Sequence, residues 1–248
     1  MNTIFAHRDG RTEPVTSIDR SWLNPASQVY VWVDFAAPSI PESLVLTDTF
    51  SFDPLAVKES RCTRHLPKID KYPEYFFAAV AGPDADCAFF VGWRYIVSVH
   101  WEESKAIAAL IDSLHHRGKQ FDEGPFALFH RIVDAMADAF KPAVERLGSR
   151  AEAAEKRVLG KATVDDVREL LAARQDAFVL SQRLARQSSA IRKIEHREVA
   201  SCSEEMAFRF RDVRNQFERL SDDTVIVHQR LGDLLTAASP LSVKKGWM

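Results

Sequence analysis

The stretch "SEEMAFRFRDVRNQFERLSDDTVIVHQRLGDLLT", residues 203–236, decides how the chain is read. Met206, Phe210, Val213, Phe217, Leu220, Thr224, Val227, Leu231 and Leu234 recur at spacings that alternate four and three. That is a heptad seam over four repeats, the signature of a long helix packing along one stripe. A helix of this length reaches roughly 50 Å at 1.5 Å per residue. The seam can pack on other helices of the same chain, on another protomer, or on both. It leads to Pro240 and a short C-terminal stretch with two lysines, Lys244 and Lys245.

Working outward, the rest of the second half carries the same period. Phe126, Phe129, Ile132, Val133 and Met136 predict a long helix from Pro125 to about Leu159. Thr163-Val-Asp-Asp166 reads as a capping box opening a second one, with an apolar face at Val167, Leu170, Leu171, Phe178 and Leu184. The seam helix, about 203–238, is the third.

Before Gly118 the pattern is different and richer in aromatics. "TIFAHRDGRTEPV" (3–15) predicts two strands around an Asp9-Gly10 turn. "QVYVWVDF" (28–35) is β-branched and aromatic, as an interior strand should be. "EYFFAAVAGPDADCAFFVGWRYIVSVHW" (74–101) contains three more strands. Pro41 and Pro54 open two short helices, and "SKAIAALIDSL" (104–114) predicts a helix whose Ile107, Leu110, Ile111 and Leu114 cover the sheet. The fold class read from the sequence is therefore α/β: a mixed-sheet domain over 1–118, then a bundle of three long helices over 119–248.

Composition narrows the function. The 248 residues are 46% hydrophobic and 27% charged, with a net charge of −2. This is a globular composition, and its charge nominates neither nucleic acid nor an anionic surface. No run of eighteen apolar residues spans a bilayer, and "MNTIFAHRDG" has no signal-peptide pattern, so a cytoplasmic location is expected. Cys62, Cys87 and Cys202 are widely spaced, as reduced cytosolic thiols are. The basic run "RLARQSSAIRKIEHR" (183–197) lacks interleaved aromatics and predicts a solvated helix face rather than a nucleic-acid groove. There is no phosphate-binding glycine loop, nucleophile elbow or zinc-protease motif, so no enzyme is expected.

Four segments, in order, resemble one family. "VWVDFAAP" (31–38) is similar to the opening strand of the CorA-type divalent-cation transporters, W-I-D-L-x-x-P. "FDPLAVKESRCTRHLPKIDKYPEYFFAAV" (52–80) resembles their H-P-L-x-L-E-D segment with the following Q-R-P-K and Tyr-containing strand. "GPFALFHRIVDAMADAFKPAVERL" (124–147) is similar to the first long helix, and "FRDVRNQ" (210–216) to F-R-D-V-Y-D-H. The resemblance covers about residues 28–236. It implies homopentamers whose last long helices line a funnel and lead into the first transmembrane helix. The pore signature Gly-Met-Asn, which follows that helix, is not in this sequence. The expectation is either a piece of a longer transporter or a naturally shorter, soluble paralogue acting in interaction or regulation.

The resemblance also implies regulatory divalent cations between neighbouring domains. Glu59 matches the second acid of the first motif and Asp212 the Asp of F-R-D, which makes them the candidate metal ligands. Carboxylates suit Mg²⁺, which keeps several of its waters. Lys58 stands where the family has its first acid, Asp53 in place of His, and Asn215 in place of the second Asp of F-R-D-V-Y-D. A lysine beside such a site weakens cation binding by about 1 kcal/mol. Zn²⁺ is the alternative ion, with Cys62, His65, Cys87, His115 and His116 as possible donors. Asp134 and Asp138, four apart on a helix, form a further carboxylate pair, and His100 and His130 read as satisfied core or surface residues.

Overall fold

The computed structural model describes residues 2–117, 121–161, 163–199 and 202–243. The boundary expected at Gly118 falls outside them. The chain divides into two compact units, 1–139 with 186–214, and 140–185 with 215–248.

The first unit is built on a seven-stranded sheet of order β2-β1-β3-β7-β6-β5-β4. Its strands are β1 (Asn2–Arg8), β2 (Arg11–Pro14), β3 (Tyr30–Ala36), β4 (Lys68–Lys71), β5 (Tyr75–Val80), β6 (Cys87–Gly92) and β7 (Tyr95–His100). Only β3 and β7 run parallel; every other neighbour pair is antiparallel. Asp9 and Gly10 both hold positive φ (53° and 70°), the left-handed pair a tight hairpin needs to match strand twist.

Strands β5, β6 and β7 are buried at every residue, because both faces of the sheet are covered. One face packs Val33, Phe35, Phe77, Phe90 and Val97 against Phe50 and Phe52 and the short helices α1 (Ile40–Asp48) and α2 (Pro54–Ser60). Phe52 stacks on Phe90 with ring centres 4.1 Å apart. The other face presents Phe76 and Phe89 to Phe129 of α4 (Pro125–Asp138), at 5.4 and 5.2 Å. Helix α3 (Lys105–Arg117) buries Ile107 and Leu114 as expected.

The long helix expected from Pro125 runs as two, α4 and α5 (Lys141–Lys161). Pro142 has no N–H to continue the ladder, and in a continuous helix its ring would clash with the carbonyl of Asp138, where α4 ends, so the helix restarts with the proline in its first turn.

In the second unit, α5 packs with α6 (Val164–Glu195) and α7 (Glu204–Val243) through Leu147, Ala151, Ala154, Leu170, Ala173, Ala177 and Leu231. The alanines let the helix axes approach closely. Thr163 caps α6 as expected: the Asp166 N–H donates to Thr163 Oγ1 (3.2 Å), and the Thr163 N–H donates back to Asp166 Oδ2 (2.9 Å). Two members of the face expected on α6, Leu171 and Phe178, are instead 53% and 46% exposed. The stripe that packs is Leu170, Ala173 and Ala177, one position round the helix.

The α7 seam is covered by its own chain. Phe210, Phe217, Thr224 and Leu231 have no exposed surface, and Val227 and Leu234 are partly buried on the same helix core. Phe217 meets Phe140 edge-on at 6.1 Å. Among the described residues, the exposed large apolar side chains of this helix, Phe208, Val225 and Ile226, lie off the seam.

Candidate metal centre

Glu59 sits in the last turn of α2. That helix is started by Asp53, whose carboxylate accepts the Leu55 N–H at 2.8 Å, and by Pro54 behind it. It stops where the Cys62 N–H turns back to the Glu59 carbonyl at 3.0 Å. The chain then crosses to β4, a strand too short and too charged to have been expected. Lys68-Ile-Asp-Lys71 buries only Ile69, so alternation over four residues was the only signal. The strand is fixed by pairing with β5 and by Lys193 of α6, whose Nζ donates to the Ile69 carbonyl at 2.8 Å. Beside it, Gln187 of α6 accepts the Ala81 N–H at 2.8 Å from a fully buried position.

This register delivers Lys68 to Glu59. The ammonium lies 2.5 Å from Glu59 Oε2 and 2.7 Å from Asp70 Oδ2, and 5.5 Å from the centre of the Phe77 ring. Desolvation pulls the lysine pKa down, but hydrogen bonds and charge from Asp70 and Glu59 outweigh it and hold Lys68 above its ordinary value. His65 lies in the loop between α2 and β4, 8% exposed, with its backbone N–H on Asp86 Oδ2 at 2.9 Å. Neither ring nitrogen of His65 has a hydrogen-bond partner among the described residues. Burial lowers its pKa, with Glu59 opposing and Lys68 assisting, so the ring is neutral at neutral pH.

Asp212 is exposed on α7, between buried Phe210 and Val213. Phe210 anchors that turn against Phe126 and Phe129, both at 5.7 Å, and His130 at 5.0 Å. One turn earlier Arg209 pairs with Glu123 at 2.5 Å, and Arg131 reaches the same carboxylate at 2.9 Å. The Arg209 hydrogen bond, helped by Arg131, holds the Glu123 carboxyl below its usual range. Among the described residues Asp212 makes no ion pair, and nothing bonds it to Glu59. Nor do any three His, Cys, Asp or Glu side chains group there to hold a metal ion.

The possible zinc donors are dispersed. Cys62 is exposed, while Cys87 is buried with its thiol pushed up to about 12, which keeps it protonated and a poor ligand. His115 sets its ring edge-on to Phe5 at 5.1 Å, and His116 Nδ1 is 2.8 Å from the Asp112 carbonyl. His100 is a satisfied core residue, bonded to Asp34 and the Glu102 carbonyl. Lys68 is the residue that no motif reading placed beside Glu59; the β4 register brings it there.

No helix among the described residues is long and apolar enough to cross a membrane. The sequence profile of CorA-like Mg²⁺ transporter proteins matches residues 27–244. YfjQ of Bacillus subtilis (strain 168), provisionally named a metal ion transporter, is 29% identical over 129 residues, 49% of this chain. The match spans 40% of that relative's length. The soluble domain of CorA from Methanocaldococcus jannaschii superposes with a TM-score of 0.81 at 13% identity, over 96% of this chain and 97% of that one. The ZntB cytoplasmic domain of Vibrio parahaemolyticus RIMD 2210633 gives 0.81 at 11% identity, over 98% of both chains. At those identities the likeness is one of fold. The fold class expected from the sequence, a mixed-sheet α/β domain followed by long helices, is the one these domains share. The profile match runs from β3 to the last turn of α7, and on that ground the chain belongs to the family of CorA-like Mg²⁺ transporter proteins, a family of ion transporters and not of enzymes.

Proposed function

We propose that this chain is the cation-sensing, cytoplasmic part of a CorA-like transporter whose substrate is Mg²⁺ or, alternatively, Zn²⁺. Copies associate as a homo-oligomer, a pentamer by family resemblance, and regulatory divalent cations bridge neighbouring copies through Glu59 and Asp212. Bound cations hold the domains together and favour a closed pore; their loss lets the domains separate, and α7 carries that change toward the membrane.

The observation that carries this reading is Asp212: an exposed carboxylate without an ion-pair partner among the described residues, on a turn of α7 pinned by Phe210. A rigidly mounted, unpaired carboxylate facing outward suits a hard cation that retains its waters and takes its other ligands from a second copy. That the chain itself does not join Asp212 to Glu59 fits a site completed only by association. The carboxylates favour Mg²⁺ over Zn²⁺, since the softer donors are scattered. A Glu59→Ala, Asp212→Ala double variant should lose any Mg²⁺-dependent rise in mass in sedimentation while keeping its helix content. Retained metal dependence would remove both residues from the account, and a mass indifferent to metal in the unaltered chain would favour an interaction protein without cation sensing.

A further inference from the structure

We infer that residues 61–67, the loop between α2 and β4, form a pH-sensitive latch: the loop is closed while the His65 ring is buried and neutral, and it opens when that ring takes up a proton.

The loop turns a single side chain inward. Arg61, Cys62, Thr63, Arg64 and Leu66 are exposed and Pro67 is partly so, whereas His65 is 8% exposed. The backbone of the same residue helps to hold the loop down. The His65 N–H donates to Asp86 Oδ2 at 2.9 Å, and the Gly82 N–H donates to Asp86 Oδ1 at 3.4 Å, so one buried carboxylate ties the loop to the connection between β5 and β6. The two ends of the loop are fixed independently of it. Trp101 Nε1 donates to the Ser60 carbonyl at 3.2 Å at the end of α2, and β4 pairs with β5 from Lys68 onward. Opening therefore needs only the segment between them to lift.

Neither nitrogen of the buried ring has a hydrogen-bond partner among the described residues. A neutral imidazole leaves one N–H and one lone pair unused there. An imidazolium would bring a second N–H and a full charge, with no acceptor for either, at a far larger cost. Charges act on the ring from both neighbouring elements: Glu59 of α2 favours its protonation and Lys68 of β4 opposes it. The Lys68 ammonium lies 2.5 Å from Glu59, so their effects at the ring largely cancel. Asp86 meets the backbone N–H groups and not the ring, and Arg61 and Arg64 add two more cations on the loop itself. Burial outweighs Glu59 and holds the His65 pKa below its ordinary value of 6.5.

Once the loop is open, the ring titrates near that ordinary value. The closed form is therefore fully favoured above about pH 6.5. Below it the balance shifts toward the open form, by up to about tenfold per pH unit, until the ring titrates in place. Opening breaks the His65–Asp86 bond and uncovers a carboxylate that is 6% exposed in the closed form.

The test is backbone amide hydrogen exchange of the full chain, followed by NMR between pH 5 and 8 and corrected for the intrinsic pH dependence of exchange. The proteins are wild type, His65→Leu and His65→Gln. In wild type the amide at position 65 should lose about tenfold in protection between pH 7.5 and pH 5, while amides of β5 and β7 stay protected. Both variants should show no such loss. The wild-type loss should also follow the titration of the His65 ring, read from its carbon-bound protons, which keeps the test decisive should a variant fail to fold. Wild-type protection that stays flat over this range would overturn the latch. So would a loss that persists in the folded variants, which would assign it to Asp86, or a His65 ring that titrates while its amide remains protected.

Discussion

Asp34 and His100 put a charge pair inside the sheet, at the ends of the two parallel strands. Asp34 Oδ1 accepts from Ser98 Oγ at 2.5 Å, and Trp32 Nε1 donates to the same hydroxyl at 3.0 Å. His100 Nε2 is 3.3 Å from Asp34 Oδ2 and Nδ1 is 2.7 Å from the Glu102 carbonyl. A carboxylate and a carbonyl only accept, so the imidazolium, with both ring nitrogens protonated, is the form that satisfies both contacts. Burial pulls the His100 pKa down, but Asp34 and the Glu102 carbonyl outweigh it, and the group titrates above its ordinary value. A folded-state pKa above the unfolded one contributes stability that is full below about pH 6.5 and is lost as pH rises through the folded value. His100→Gln should therefore destabilise the chain by about 3 kcal/mol at pH 5.5, since it leaves Asp34 buried without its cation. The gap between variant and wild type in thermal unfolding should narrow toward pH 9. A gap independent of pH would mean that the ring is neutral throughout. The Asp34–His100 pair shows how little of the polar interior a sequence reveals: strand alternation finds the strands, but not which polar side chains on them face each other.

At the scale of elements, strands and caps were the most legible parts. The Asp9-Gly10 hairpin, the aromatic strands β5 to β7 and the Thr163 cap each rest on local chemistry that a few neighbouring residues determine. Strand β4 was not legible, because its pairing with β5 rather than any internal pattern makes it a strand. The same missing element hid Lys68 from the site, since only that register carries it to Glu59. The α6 face was half legible. Leu171 and Phe178 share a helical stripe with each other, but alanines one position round allow closer packing and take the core. Leu231→Ala, at a position with no exposed surface in a core of alanines and leucines, should cost roughly 2–5 kcal/mol in chemical denaturation. Leu171→Ala, 53% exposed, should change stability by no more than about 0.5 kcal/mol. Equal costs would mean that the packed stripe of α6 is wrongly assigned.

For the molecule as a whole, family and fold follow from four ordered motifs and the heptad seam, and the profile match over residues 27–244 bears them out. The seam's partner was not legible, because a four-three repeat suits a neighbour in the same chain as well as one in another copy. Here its own chain covers it, so the proposed association of copies is assigned to Glu59 and Asp212 rather than to the seam. The central claim is that divalent cations drive that association. It is tested most directly by the solution mass of the full chain from light scattering, measured once in excess Mg²⁺ and once in chelator. The account predicts an oligomer, pentameric if the family arrangement holds, that dissociates in chelator. A monomer or dimer of the same mass in both conditions would contradict it.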